Sequence, residues 1–190
     1  MIPQPTGRLV RKDDGVYVVL DRIFKAPIED VWSYFSRSPR LAEWLGEFTG
    51  TPSTGAARFR MKVEGDDAEW QNVSILECQA PHRLAADIGP SDSAWRMYLH
   101  LTEASGRTTV TFGRRLHDLS EEADTGVAWD YYLDRLIAAR AHRPMPDWND
   151  YHPAMLEHYE NLCRELGDDL RREHAAAHAG LARDVSDTSA

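Results

Sequence analysis

Apolar and polar positions alternate with a period of two over most of the chain between residues 46 and 116. The alternation is clearest in the segment with Trp95, Met97 and Leu99, because the residues between them are expected to face the opposite side of the strand. Turn residues separate such segments, as in the Gly-Pro-Ser-Asp run at 89–92. Short strands joined by short turns predict an antiparallel sheet with one buried face.

Two short helices are predicted between a first strand, at residues 15–24, and the rest of this sheet. Pro27 suits the first turn of a helix, because the amide hydrogen that proline lacks would be unpaired there. Ser38 and Pro39 begin the second helix, and Gly46 is suited to end it.

Helical periodicity returns after the sheet. Apolar residues at intervals of three and four predict a long helix over residues 122–141, which Pro144 and Pro146 terminate. A second amphipathic helix is predicted within residues 144–173. Its apolar stripe consists of Leu156, Tyr159, Cys163, Leu166 and Leu170. Such a stripe must be buried, either against its own chain or against a second subunit.

The chain is long enough for one domain with extensions. Residues 1–14 are polar, contain two prolines and are predicted to be a flexible arm. The domain itself is predicted to span residues 15–143, followed by the extension helix at 144–173. Residues 174–190 are small and polar, which favours a disordered tail.

The net charge of -9 argues against a nucleic-acid partner, because phosphate binding needs a basic face. No apolar run approaches the ~20 residues of a membrane helix, so no membrane partner is expected. The first residues lack the apolar segment of a signal peptide. Cys78 and Cys163 lack the spacing of a metal site or a disulfide framework. We therefore expect a cytoplasmic protein with reduced cysteines.

Motifs for metal or cofactor chemistry are absent from the sequence. No HExxH or two-His-one-carboxylate pattern occurs. His174 and His178 have the i,i+4 spacing that could bind a divalent metal, but they fall in the predicted tail. There is no GxSxG nucleophile motif and no Gly-rich phosphate loop. We expect no metal and no cofactor, and catalytic residues stay unknown.

Six short motifs follow one another in a fixed order between residues 16 and 142. They are Ala26-Pro27 to Val31-Trp32, Ser38-Pro39 to Trp44-Leu45-Gly46, Gly55 to Phe59, Pro81-His82-Arg83-Leu84, Gly106-Arg107-Thr108 with Val110 and Phe112, and Trp129 to Tyr132-Leu133 and Leu136. Together they resemble the START-like (SRPBCC) superfamily, and within it the AHSA1-like branch of Hsp90 ATPase activator homologues and polyketide-cyclase-like proteins. The resemblance implies an α+β helix-grip fold, in which a curved antiparallel sheet wraps around a long C-terminal helix.

Members of this superfamily share a cavity between the sheet and the long helix. The resemblance therefore implies that the chain binds a small hydrophobic molecule there, and no firm catalytic activity follows from it. Two alternatives stay open: a co-chaperone-like interaction module, and an enzyme of the cyclase or hydrolase type. A homodimer or a protein partner would use the helix over residues 154–172.

Strand alternation and the resemblance together suggest which side chains line this cavity. The candidates are Phe59, Met61, Trp70, Trp95 and Met97 from the sheet and Trp129, Tyr132 and Leu133 from the long helix. Ordinary core packing explains each of these residues equally well when it is taken singly.

Two polar residues share the predicted inward face. Arg114 follows Val110 and Phe112 in alternation, and Asn72 lies two residues from Trp70. Both could bind a carboxylate or carbonyl group of a ligand, although Arg114 could also reach solvent or pair with an acidic residue.

Trp32 and Trp44 belong to the two short helices, which the resemblance places at one end of the sheet. They are expected to be core residues of those helices and not ligand contacts.

Overall fold

The computed structural model describes residues 3–51, 57–63, 65, 68–119 and 123–187. The strands are β1 (Arg8–Lys12), β2 (Gly15–Phe24), β3 (Gly46–Thr49), β4 (Ala57–Met61), β5 (Gln71–Gln79), β6 (Arg83–Ile88), β7 (Trp95–Ala104) and β8 (Arg107–Leu116). The helices are α1 (Ile28–Ser36), α2 (Ser38–Leu41), α3 (Ala123–Arg140) and α4 (Leu156–Asp187), with a 3₁₀ turn at Trp148–Asp150. Gly55 and Glu122, which contribute to predicted elements, lie outside the described residues.

The strands form one antiparallel sheet in the order β1-β2-β8-β7-β6-β5-β4-β3. The long hairpin β7–β8 lies near its centre, where Leu101 pairs with Val110 and both side chains are buried. Helix α3 packs on the inner face, and α1 and α2 follow the first long strand as expected. The predicted α+β helix-grip fold is confirmed.

Helix α1 begins at a proline and is capped from another element. Pro27 supplies no side-chain cap, but the Glu103 carboxylate of β7 accepts a hydrogen bond from the Ile28 amide at 2.8 Å. A negative charge at this end also complements the helix dipole. The sheet therefore fixes the start of α1 and, through it, the position of the apolar face of that helix.

Residues 1–14 are predicted to be a flexible arm, but residues 8–12 form the edge strand β1. Val10 pairs with Tyr17 of β2, and residues 13 and 14 make a two-residue turn between the strands. The apolar pair Leu9-Val10 between basic residues and the Asp-Asp-Gly turn were the sequence signals of this hairpin.

Helix α4 is longer than the sequence pattern predicts. It continues to Asp187, beyond the boundary expected at residue 173. Consecutive alanines at 175–177 have the highest intrinsic helix propensity, which favours the helix although the segment has little apolar surface to bury. Within the described ranges, no helix combines the length and the apolar character that crossing a membrane requires.

The first part of α4 packs on its own chain. Tyr159 and Cys163 of the apolar stripe are buried, and the Tyr159 ring lies against Gly126 of α3. A Cβ atom on Gly126 would come within 2.1 Å of this ring, so the absence of a side chain there allows the two helices to meet.

Candidate functional site

A cavity of about 500 Å³ lies between the inner face of the sheet and the helices α1, α2 and α3. This volume is in the range that small-molecule sites occupy. Eight aromatic side chains contribute to its wall. They are Trp32, Phe35, Trp44, Phe48, Phe59, Trp95, Phe112 and Trp129.

The aromatic wall is held in place by ring contacts and by one well-placed hydrogen bond. Phe35 and Trp44 meet edge to face with their centroids 5.5 Å apart, and Phe112 stacks on Trp129 at 4.0 Å. The Trp44 indole N–H donates to the Tyr34 carbonyl at 3.1 Å, which satisfies its polar atom away from the cavity. The cavity surface is consequently almost entirely apolar.

No Asp, Glu, Lys, Arg or His side chain is among the described residues that line the cavity. Ser36 does line it, but its hydroxyl donates to the Trp32 carbonyl at 3.0 Å within α1. A ligand with a buried charge would thus lack a charged partner on this wall, and burying an unpaired charge is strongly unfavourable.

The exposed members of the wall mark where the cavity opens. Ser36 at the end of α1 and Cys78 and Ala80 at the end of β5 are all exposed. The pairing of β5 with β6 shifts between Ile75 and Glu77, so that one extra residue, Leu76, interrupts the alternation. Because of this bulge, Cys78 faces the cavity where regular alternation would have placed Glu77.

Five of the predicted cavity residues line the cavity: Phe59, Met61, Trp95, Met97 and Trp129. Their strands and helix follow the predicted periodicity, so alternation places them correctly. Leu133 is instead fully buried in the core, and Tyr132 packs on the edge of Trp129 with their centroids 5.4 Å apart.

The predicted inward orientation of Trp70 and Asn72 is not what the structure shows. Asn72 is exposed and lies opposite Arg58 on the outer face of the sheet, and Trp70 contacts the Arg60 guanidinium at 4.9 Å. On β5 it is Val73 that faces the cavity, which directs its neighbour Asn72 outward.

Arg114 does point to the inner side of the sheet, but it does not line the cavity. It is buried, its guanidinium lies 5.5 Å from the centroid of Trp95, and Nη1 donates to the Arg115 carbonyl oxygen. It therefore packs near Trp95, a residue of the cavity wall, without lining the cavity itself.

Trp32 and Trp44 have a second role besides the expected core packing. Both are buried, and both also contribute to the cavity wall. The helices that close one end of the sheet therefore present part of the surface that a bound molecule would contact.

A buried polar cluster beside α3 was not found from the sequence. The Asp130 carboxylate accepts hydrogen bonds from Arg22 Nη2 at 2.8 Å, from Thr6 Oγ1 at 2.5 Å and from the Tyr159 hydroxyl. Arg22 Nε donates to Asp134 at 2.9 Å. The signal was present in β2, where Arg22 shares the inward positions of Leu20 and Phe24.

The charged groups of this cluster shift the pKa values of their neighbours. Burial alone would lower the pKa of the Arg22 guanidinium, but Asp134 and Asp130 outweigh it and raise that pKa. Burial and the adjacent Asp130 carboxylate raise the pKa of the Tyr159 hydroxyl. None of these groups lines the cavity, so the cluster holds Thr6 of the N-terminal segment and Tyr159 of α4 against the domain.

Metal ligation has no support in the part of the chain that the structure describes, since no three His, Cys, Asp or Glu side chains there come together as a group that could hold an ion.

The sequence of residues 25–140 matches the family model described as Activator of Hsp90 ATPase homolog 1-like protein, AHSA1. The chain belongs to the AHSA1 family. The match covers more than half of the 190 residues and includes α1, most of the sheet and α3. No match was found among curated protein sequences.

Solved structures of AHSA1-like fold resemble the chain at low sequence identity. The crystal structure of CalU16 from Micromonospora echinospora has a TM-score of 0.66 and 20% identity, covering 83% of this chain and 96% of CalU16. A conserved protein from Enterococcus faecalis has a TM-score of 0.62 and 17% identity, covering 82% of this chain and 91% of that protein. DynU16, from the dynemicin biosynthetic locus, has a TM-score of 0.56 and 22% identity, covering 69% of this chain and 49% of DynU16. These similarities show the fold.

Proposed function

We propose that this AHSA1-family chain binds a small, uncharged, aromatic molecule in the cavity between the sheet and α3. The observation that supports the proposal is the cavity itself, about 500 Å³ in volume, with eight aromatic side chains on its wall. Aromatic rings bury a large apolar area and favour stacked or edge-to-face contacts with other rings. A planar, unsaturated ligand can make such ring contacts with this wall. We propose that the protein binds this ligand in the cytoplasm.

An uncharged ligand fits better than a fatty acid or another anion. Among the described residues, charged side chains are absent from the wall, and Arg114 beside Trp95 is not one of the residues that line it. The same lack of charged groups favours binding over catalysis, because general acid–base catalysis needs a titratable group within reach of the reacting atoms.

The similarity to DynU16 guides the choice of compounds to screen. DynU16 belongs to the dynemicin biosynthetic locus. We therefore include aromatic products of biosynthetic loci among the compounds of interest for this chain, alongside simple probes of defined charge.

A thermal unfolding series with two matched probes tests the proposal. Anthraquinone is uncharged, and anthraquinone-2-carboxylate differs from it by one ionised group. A ligand that binds only the folded state raises Tm in proportion to the logarithm of its excess over Kd. We expect anthraquinone to raise Tm and the carboxylate to have a much smaller effect. Equal effects of the two probes, or no effect of anthraquinone, would overturn the proposal.

Two variants of neighbouring alanines show whether the probe occupies the cavity. Ala86 of β6 lines the cavity, whereas Ala85 lies on the opposite face of the same strand. Ala86→Phe fills part of the space and should abolish the Tm increase with anthraquinone. Ala85→Phe adds the same side chain on the outer face and should leave that increase unchanged.

The family description favours a second candidate function, a co-chaperone-like interaction with an Hsp90-type ATPase. The chain would then raise the ATPase rate of such a chaperone. An ATPase assay with the full chain decides it, because a pure ligand-binding protein leaves the rate unchanged.

A further inference from the structure

A series of aromatic side chains connects the cavity wall to the protein surface. Trp129 lines the cavity, and its ring centroid is 5.4 Å from that of Tyr132. Tyr132 is 5.6 Å from Tyr131, which is in turn 5.3 Å from Trp148. Trp148 is 37% exposed, so the series ends in solvent. Each neighbouring pair of rings is in contact, and no aliphatic residue interrupts the series.

The series crosses from one element to another, which helical periodicity does not explain. Trp129, Tyr131 and Tyr132 belong to α3, whereas Trp148 lies in the 3₁₀ turn after it. Trp148 is exposed although it is a large apolar residue, and its ring stacks on His152 at 5.4 Å with an interplanar angle of 8°. Core packing accounts for Trp129, but it does not require an exposed indole at the end of the series.

Tyrosine and tryptophan are among the side chains that lose an electron most readily. Rings in van der Waals contact can exchange an electron in short steps, whereas a single step from the cavity to Trp148 would be much slower. Solvation differs along the series, and this difference favours one direction of charge transfer. An indole radical cation is poorly solvated in the apolar cavity, and it is stabilised where water reaches the ring. Positive charge is therefore better stabilised on Trp148 than on Trp129.

We propose that these four residues, which we call the aromatic relay, pass single electrons from the surface to an oxidised molecule in the cavity. The proposal rests on the proposed function in one respect, that an aromatic ligand occupies the cavity. The ligand enters the step as a neutral radical that has lost one electron and one proton, such as a phenoxyl radical, and it leaves as the closed-shell, uncharged phenol.

Electrons and protons balance in the following way. The ligand radical takes one electron from Trp129 and one proton from water at the cavity mouth, and the electron vacancy moves through Tyr132 and Tyr131 to Trp148. Each tyrosine is partly exposed, so it releases its phenolic proton to water when it is oxidised and takes a proton back when it is reduced, and the tyrosines are unchanged at the end. The Trp148 radical cation releases its indole proton to water. A small-molecule thiol or ascorbate in solution then returns one electron and one proton to Trp148.

A covalently attached photo-oxidant tests the relay without depending on ligand affinity. Cys78 is exposed at the cavity mouth, whereas Cys163 is buried, so a thiol-reactive ruthenium polypyridyl complex should label Cys78 alone. A laser flash with an electron acceptor in solution generates the Ru(III) oxidant beside the cavity. A nitroso spin trap followed by peptide mass spectrometry then locates the radical. We expect the trapped radical on Trp148.

Substitutions that keep the ring but remove its redox activity decide the route. In the double variant Tyr131→Phe with Tyr132→Phe, the packing is kept because phenylalanine has the same ring, but it is far harder to oxidise. The Trp148 adduct should be lost. Trp70→Phe is the matched control, because Trp70 lies on the outer face beside Arg60, away from the relay.

Two results would overturn the proposal. One is an unchanged Trp148 adduct in the double variant, and the other is a radical that stays on cavity residues such as Trp95 in the unsubstituted chain. Neither result bears on whether anthraquinone binds, so a failure of the relay and a failure of the proposed function are told apart. Equal Tm values of the labelled proteins verify that the variants are folded.

Discussion

Arg22 and Asp130 form a buried ion pair that joins strand β2 to helix α3, with 2.8 Å between Nη2 and Oδ1. Their side chains are only 8% and 1% exposed. The same carboxylate holds Thr6 near one end of the chain and Tyr159 near the other. The position of α3 over the cavity therefore depends on segments outside the part of the chain that forms the cavity.

The ion pair makes Asp130 a sensitive position for stability. Removing one partner of a buried pair costs about 3–5 kcal/mol, because the other charge stays buried without compensation. We expect Asp130→Asn to lower the free energy of unfolding by about 3 kcal/mol, since Asp134 still neutralises part of the Arg22 charge. Urea unfolding of both proteins measures the difference.

The exposed pair of Asp168 and Arg171 in α4 provides the control for that measurement. Exposed ion pairs contribute about 0–1 kcal/mol, so Asp168→Asn should have a small effect. If both substitutions destabilise the protein equally, the buried cluster does not have the role described for it.

Two helical glycines should respond in opposite ways to the same substitution. Gly126→Ala places a Cβ within 2.1 Å of the Tyr159 ring, which must move, and overpacking of this kind costs about 1–3 kcal/mol. Gly167→Ala meets only the Arg171 side chain at 3.5 Å and should stabilise the helix by about 1 kcal/mol through its higher helix propensity. Thermal unfolding of the two variants compares them directly. A destabilised Gly167→Ala protein would contradict this account of α4.

The outer face of the sheet contains a carboxylate that should make stability depend on pH. Hydrogen bonds from Arg96 to Asp87, at 2.9 and 2.8 Å, lower the pKa of Asp87 below its ordinary value of 3.8, although partial burial opposes them. A lowered pKa in the folded state stabilises the protein above the ordinary value, and this stabilisation is lost as the pH falls through the folded pKa.

The variant Asp87→Asn isolates that contribution. It should be less stable than the unsubstituted chain at neutral pH, and the difference between their Tm values should shrink as the pH falls below 3.8. A Tm difference that stays constant from neutral to acidic pH would show that the charge of Asp87 is not responsible.

The two cysteines should report on the cavity mouth. Cys78 is exposed and lines the cavity, and Cys163 is buried between α4 and the domain. We expect a thiol-specific reagent to modify one cysteine per folded chain and both in the unfolded chain. Saturating anthraquinone should slow the modification of Cys78, as measured by intact-mass spectrometry. An unchanged rate in the presence of ligand that raises Tm would place the ligand away from this mouth.

Strand alternation was sufficient to predict much of the cavity wall. It placed Phe59, Met61, Trp95 and Met97 on the inner face, because β4 and β7 are regular where they carry these residues. It misplaced Trp70 and Asn72, since the face of a strand follows from its pairing, and the chain before β5 offers few apolar residues to fix that pairing. The bulge at Leu76 likewise follows from the register with β6 and not from local composition.

The polar cluster and the aromatic relay could not be predicted in the same way. Both depend on contacts between residues far apart in the chain, such as Thr6 with Asp130 or Tyr131 with Trp148. Periodicity describes one element at a time, so it cannot show which side chains of two elements meet. An arginine at an inward position of β2 was the one local sign that acidic partners had to be found elsewhere.

The extent of the family match has a practical consequence that the buried cluster reveals. A protein trimmed to residues 25–140 would keep Asp130 but would lose Arg22, Thr6 and Tyr159, all of its partners named above. It would also lose β2, the strand that pairs with β8 along its full length. The matched region is therefore smaller than the set of residues that hold α3 on the sheet, and expression of this protein should begin before Thr6 and extend past Cys163.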